Sequence, residues 1–210
     1  LIFKARATYW KAEAEYQLSN FKNAYDGFID FKNMSLSAQL DEFKNLDYNL
    51  AYTYFKQTEY ALAIKTFQAF IATQPVNVTL LNDAFLRLGD SYFVTTQYSP
   101  AIDAYRAALK LAKIEVDYAT FQIAVSHGYL GETSNKILGL QKVMTFRTSR
   151  LRDQALFELA NTFVNQSDPQ KALMYYSQLI SDFSSSVLVS KALLRKGLML
   201  YNQGDTQSAL

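Results

Sequence analysis

The chain has 210 residues, half of them apolar and 15% aromatic, with 15 Tyr and 15 Phe against a single Trp, a composition that excludes disorder. Its formal net charge of +2 gives no field that demands a polyanionic partner, which argues against nucleic acid. With no Cys there are no disulfides, thiolate nucleophiles or sulfur-built zinc sites.

Three Pro and seven Gly are too few for a sandwich or barrel with a turn every ten residues or so, so helices are expected. In chain order, the first pair is expected over 4–18 and 21–33, with Ala12 on one helix and Phe21, Ala24, Phe28 and Phe31 on the other. The second pair, 38–57 and 59–73, carries Leu50, Ala51, Tyr54, Tyr60, Ala63, Phe67 and Phe70, and Pro75 forbids continuation. The third, 78–95 and 99–113, is the clearest copy: Phe85, Leu88, Gly89 and Tyr92, then Tyr98, Ala101, Tyr105 and Ala108. There Ser99 reads as an N-cap with Pro100 at the first helical position. The fourth, 116–130 and 134–147, gives Ile123, Ala124, Leu140 and Val143. Lys136 replaces its small residue, and the link through Gly128, Gly131, Glu132 and Thr133 is where altered packing or a bend is expected. The fifth, 150–166 and 169–182, gives Leu156, Leu159, Ala160, Phe163, Ala172, Tyr176 and Leu179, with Asp168 and Pro169 as cap and first residue. A last helix over 187–203 carries Leu193 and Gly197, Gly204 is placed to end it in the left-handed region, and the sixth copy stops just after Ala209.

Residues 24, 63, 101, 136, 172 and 209 occupy one slot of the repeat and are 39, 38, 35, 36 and 37 apart, close to two short helices plus turns. Small residues at 12, 51, 89, 124, 160 and 197 mark where two helices cross, and the rings at 28, 67, 105 and 176 fill the facing space. The pattern resembles the tetratricopeptide repeat family over essentially the whole chain. That resemblance implies an all-α fold, a right-handed α-α superhelix of about five complete units plus a truncated sixth. Residues 1–210 are then one continuous solenoid, because each unit buries its apolar face only on its neighbours. A start at Leu1 without Met and a stop at Leu210 inside an expected helix mark it as a piece of a longer repeat protein.

The resemblance implies that the first helix of every unit lines a concave groove. Its fifth positions are Tyr9, Tyr48, Leu86, Phe121, Phe157 and Leu194, and its twelfth Tyr16, Phe55, Phe93, Gly128, Val164 and Tyr201. The second and ninth positions, which include Tyr52, Asp83, Asp90 and Asn161, hold no row of cations. Family members that capture acidic chaperone tails converge Lys, Asn and Arg here, and Asp83 and Asp90 would repel such a tail, so no carboxylate clamp is expected. The candidate partner-binding residues are Tyr9, Tyr16, Tyr48, Tyr52, Phe55, Leu86, Asp90, Phe93, Phe121, Phe157 and Asn161. They would take apolar side chains of an extended or helical protein segment. The other use of the same rings is packing between repeats, in a structural spacer or a self-associating module.

Catalysis, cofactors and metals are not expected. His127 is the only histidine and occupies a slot that is Tyr54, Tyr92 or Phe163 elsewhere, so it reads as a core substitution. Asp41 with Glu42, and Asp83 with Asp90, read as surface charge, and Lys142, Arg147, Arg150 and Arg152 as cations at a helix end. Asn33, Asn77 and Asn165 head glycosylation sequons taken as chance. No apolar run reaches the ~18 residues of a membrane span. The link Ser181 to Ser186 before Lys191, Ala192 and Leu193 resembles the aromatic-Pro-Asn-Ser link of bacterial cell-envelope repeat proteins, with Ser184 for the usual Pro. It implies a periplasmic or outer-membrane-associated setting, with cytoplasm as the alternative.

Overall fold

The computed structural model describes residues 1–204; the small slot expected at Ala209 lies outside them. Among the described residues there are eleven α-helices, two 3-10 segments and no strand. The chain divides into two compact units, Leu1–Ile114 and Glu115–Leu210.

The first unit holds three antiparallel hairpins: α1 (Ile2–Gln17) with α2 (Phe21–Lys32), α3 (Leu46–Lys56) with α4 (Tyr60–Ala72), and α5 (Val78–Val94) with α6 (Tyr98–Leu111). Stacking is sequential, α2 on α3 and α4 on α5. Ala12, Ala24, Phe28 and Phe31 of the first hairpin share a core with Leu46 and Leu50, and Phe67 and Phe70 pack with Ala84 and Leu88 of the third. The second unit repeats the plan with α7 (Val116–Tyr129) and α8 (Thr133–Thr145), α9 (Arg152–Asn165) and α10 (Pro169–Asp182), then α11 (Val189–Asn202). There Leu140, Val143, Leu156, Leu159, Tyr176 and Leu179 are fully buried.

Small residues set the helix crossings. A Cβ built on Gly27 would lie 2.8 Å from the Ala12 Cβ, and one on Gly139 2.6 Å from the Ala124 Cβ. In the third hairpin the bulk is reversed: a Cβ on Gly89 would lie 2.6 Å from the Tyr105 ring. Lys136, in the slot expected to be small, lays its stem over Gly128, whose added Cβ would lie 2.7 Å from Cδ. Its Nζ reaches Glu158 Oε2 at 2.7 Å.

Within every complete hairpin the turn has three residues, 18–20, 57–59, 95–97, 130–132 and 166–168. Its middle residue is left-handed each time: Ser19, Thr58, Thr96, Gly131 and Ser167, with φ of 63, 63, 60, 76 and 56°. A backbone bond closes each turn from its third residue, Asn20 N to Glu15 O, Glu59 N to Tyr54 O, Gln97 N to Tyr92 O, Glu132 N to His127 O and Asp168 N to Phe163 O. This is the Schellman closure of a helix C-terminus. Gly204, expected to be left-handed, has φ of 84°.

Two expectations need correction, and a third holds for packing alone. The helix expected over 38–57 begins only at Leu46, because Leu40 adopts an extended ψ of 147° and buries its side chain in the first core, leaving 3-10 segments on either side. Ser99 is not an N-cap: the turn at Thr96 makes Gln97 the cap, so Pro100 falls third in α6. The link through Gly128 to Thr133 has the same turn as the other hairpins, and only the packing of Lys136 departs. Asp168 does cap α10, its Oδ1 accepting from Lys171 N at 3.1 Å. Asn77 caps α5 from Thr79 N and Leu80 N, both at 3.1 Å, a structural role that its sequon obscured.

Candidate partner-binding site

Repeat register decides which first-helix side chains are free to face a partner. At the ninth position, Asp90 Oδ1 accepts from Tyr105 Oη at 2.8 Å, and Asn161 Oδ1 accepts from Tyr176 Oη at 2.7 Å. Where the second helix carries Phe28 or Phe67, which have no hydroxyl, the ninth position is Glu13 or Tyr52. Asp90 is also held by Arg87 Nη1 at 2.5 Å and is buried. Both Asp90 and Asn161, expected to meet a partner, thus use acceptor capacity inside their own hairpins.

The twelfth-position rings have a local partner as well. Tyr16 meets Phe21, Phe55 meets Tyr60 and Phe93 meets Tyr98, each edge to face with centroids 5.4, 5.6 and 5.5 Å apart. Each pair spans a hairpin turn, so these half-buried rings fasten the turn with one edge. Leu86 is completely buried and Tyr9 is 5% exposed, so neither offers a surface to a partner segment. Tyr9 instead packs on Phe28 and Phe31 and takes a hydrogen bond from Asn49 Nδ2 at 2.9 Å.

What stays open in the first unit is a cleft of about 180 Å³ between α1 and α3, lined by Glu13, Tyr16, Gln17, Tyr48, Asn49 and Tyr52. The Tyr48 and Tyr52 rings lie 5.0 Å apart, and Tyr16 meets Tyr52 edge-on at 6.3 Å. Both Tyr48 and Tyr52 donate their hydroxyls to Asp83 Oδ2, the former at 2.8 Å. Asp83 and Asp90 are not the surface charges expected of them: at 14% and 8% side-chain exposure they flank Arg87, which reaches Asp83 at 3.4 Å and Asp90 at 2.5 Å. Burial pushes the Tyr16 phenol up to about 12, helped by the charges of Glu13 and Asp83 and opposed by Arg87. Burial and then Asp83 raise Tyr48 and Tyr52 in the same direction.

The second unit has its own cleft, about 300 Å³, lined by Phe121, Asp153, Gln154, Phe157, Glu158, Val187 and Leu188. Phe157 packs on Tyr176 at 5.9 Å and carries the Arg195 guanidinium 5.6 Å from its centroid. Ser186 Oγ donates to Asp153 Oδ2 at 2.5 Å, which ties the link before α11 to the rim.

His127 is 8% exposed, with Nδ1 2.6 Å from Glu132 Oε2, a core position with one carboxylate at its edge. Arg152 opens α9 and lies over Phe183 at 5.3 Å, so it is not part of a helix C-terminal cluster. Among the described residues no group of three or more His, Cys, Asp or Glu could hold a metal, and no helix is long and apolar enough to cross a membrane.

Hairpins of this register, stacked in sequence, define an α-solenoid repeat protein. The tetratricopeptide repeat model matches residues 48–113 and 157–210, more than half of the chain, and the protein belongs to that family. Its members are in general scaffolds for protein–protein interaction, and no catalytic family is indicated. Among solved structures, the apo form of RapI is similar with a TM-score of 0.80 at 14% identity, over 99% of this chain and 63% of that one. A STAND signal-transduction ATPase from Pyrococcus horikoshii, with a tetratricopeptide repeat sensor, also gives 0.80, at 16% identity over 99% of this chain and 34% of that one. MamA from Desulfovibrio magneticus RS-1 gives 0.72 at 14% identity, over 88% and 97%. At these identities the likeness establishes the fold. No curated protein matches the chain significantly.

Proposed function

We propose that the chain binds a partner polypeptide segment on its first-helix faces, through Tyr16, Tyr48 and Tyr52 in the first unit and through Phe121 and Phe157 in the second. The observation that carries this reading is the pair of open aromatic clefts, each lined by residues of successive first helices. Insertion of apolar side chains there contributes about 1.5 to 3 kcal/mol for each one fully buried. A carboxylate clamp for acidic tails is disfavoured, because the first cleft presents Glu13 and backs onto Asp83. A displayed library of random peptides, selected against the wild type and against Tyr52→Asp with Phe157→Asp, tests the proposal. Enriched segments that bind the wild type and lose at least tenfold on the helical variant support it; equal binding to both overturns it.

One observation favours self-association or stacking on another module as a second reading. Phe3, Ala7, Trp10 and Ala14 form an exposed stripe on α1. The residues equivalent to Ala7 and Ala14 are buried in later first helices, as Leu46 and Thr53, Ala84 and Ser91, and Ala155 and Thr162. Light scattering with Trp10 emission separates the readings, a blue-shifted dimer supporting the second. A cell-envelope setting rests on the link before α11, and fractionation of the native cells tests it.

A further inference from the structure

The first cleft is acidic as well as aromatic, and among the described residues no cation forms an ion pair with its carboxylate, Glu13. Glu13 Oε1 accepts from Gln17 Nε2 at 3.2 Å and Oε2 from Asn49 Nδ2 at 2.9 Å. Both donors are neutral amides, which orient the carboxylate without cancelling its charge. Behind the rings, Asp83 and Asp90 both pair with the guanidinium of Arg87. The Tyr48 and Tyr52 hydroxyls point back to Asp83, which leaves ring faces and edges to line the cleft. The Tyr52 ring, with Tyr48 at 5.0 Å and Tyr16 at 6.3 Å, lies beside the Glu13 carboxylate, and the set matches what a desolvated cation requires: ring faces within ~6 Å and a charge to pair with.

We infer that the cleft formed by Glu13, Tyr16, Gln17, Tyr48, Asn49 and Tyr52 receives a cationic side chain, the guanidinium or ammonium of an Arg or Lys in the partner segment. This deepens the proposed function and rests on it. The cleft of about 180 Å³ admits one side chain and not a helix. The carboxylate also excludes the acidic occupant that a basic groove of this fold would take. The raised Tyr16 phenol agrees, since Glu13 and Asp83 both resist further negative charge at the ring. Cation–π attraction accounts for aromatic lining where a simple salt bridge would not need it.

The test is a titration of protein carrying ring-labelled tyrosine, followed by NMR, with N-acetyl-arginine amide, N-acetyl-lysine amide, and the neutral isosteres N-acetyl-citrulline amide and N-acetyl-norleucine amide. The expected result is saturable displacement of the Tyr16, Tyr48 and Tyr52 ring signals by the two cations, at least fivefold weaker with the isosteres. Glu13→Gln, which keeps the shape and one of the two acceptor contacts, removes the preference, and added salt weakens the cations alone. If citrulline displaces the same rings as strongly as arginine, or if Glu13→Gln titrates like the wild type, the inference is overturned while segment binding in the cleft stands. If none of the four compounds moves these rings, it is overturned too, and the peptide selection then decides the broader reading independently. Unchanged thermal unfolding of Glu13→Gln keeps a folding defect from imitating the expected loss.

Discussion

Gly89 leaves room for the Tyr105 ring, and nothing about that ring can yield. Tyr105 is completely buried and its hydroxyl is tied to Asp90. Gly89→Ala gains helix propensity but forces a methyl group to 2.6 Å from the ring, so a net loss of about 1 to 2 kcal/mol is expected, read as a lower urea midpoint. The tyrosines of the first unit predict alkaline sensitivity. Tyr9 and Tyr16 are pushed up to about 12, chiefly by burial, from an ordinary value of 10.0. A raised phenol favours the folded state below pH 10.0 and loses that contribution as pH climbs through about 12. Unfolding midpoints are therefore flat up to about pH 10 and fall beyond it, and the fall is shallower in Tyr16→Phe. At this scale the sequence was readable where bulk alternates, and Gly89 against Tyr105 was recognised as small against large. It misled where polarity implied exposure. Asp83, Arg87 and Asp90 stand at helical spacings of four and three, a signal for a buried ion-paired trio that charge alone, read as surface, conceals. The correlation of Asp90 with Tyr105, and of Asn161 with Tyr176, was likewise present in the residues, but its meaning depends on which hydroxyl reaches which acceptor.

Among the elements, the hairpin turn carries a cost that most copies have not removed. Thr58 and Thr96 are β-branched residues at φ of 63 and 60°, a region costing about 1 to 3 kcal/mol for a side chain that only Gly avoids. Gly131 and Gly204 occupy that position without strain. Thr96→Gly is expected to stabilise by about 0.5 to 1 kcal/mol after the entropy of the added glycine, measured as a higher melting temperature. Helix number and approximate placement were legible from apolar periodicity, because ten of the expected helices match observed ones within about two residues at each end. The exception, 38–57, failed because periodicity cannot see Leu40 turning extended to reach the first core. The left-handed turn was missed for a different reason: Ser and Thr give no sign of positive φ, and of the two glycines in that slot only Gly204 was read as left-handed.

Within each unit, every hairpin is stabilised by its sequence neighbours. Damage should therefore stay local. In the first unit, native-state hydrogen exchange of Gly89→Ala is expected to show lost protection in α5, α6 and α4, with α1 and α2 unchanged; uniform loss across all five would contradict nearest-neighbour coupling. The candidate site was only partly legible at this scale. Groove positions carried over from the family ranked Leu86 and Tyr9 with Tyr48 and Tyr52, and burial, which depends on how neighbouring helices close over each residue, separates them.

The constant three-residue turn also determines where the molecule can accept extra chain. The uneven period of 39, 38, 35, 36 and 37 arises outside the turns, in the links between hairpins and the helices themselves, since links run from 112–115 at the shortest to 33–45 at the longest. One residue added at 95–97 would advance α6 by about 100° and swing Tyr105 away from Gly89. The same residue added at 73–77 lies outside a hairpin and leaves the two helices of each hairpin in phase. Length variation thus falls outside the hairpin turns, and the clasp within each hairpin works as a fixed ratchet that keeps its two helices in phase.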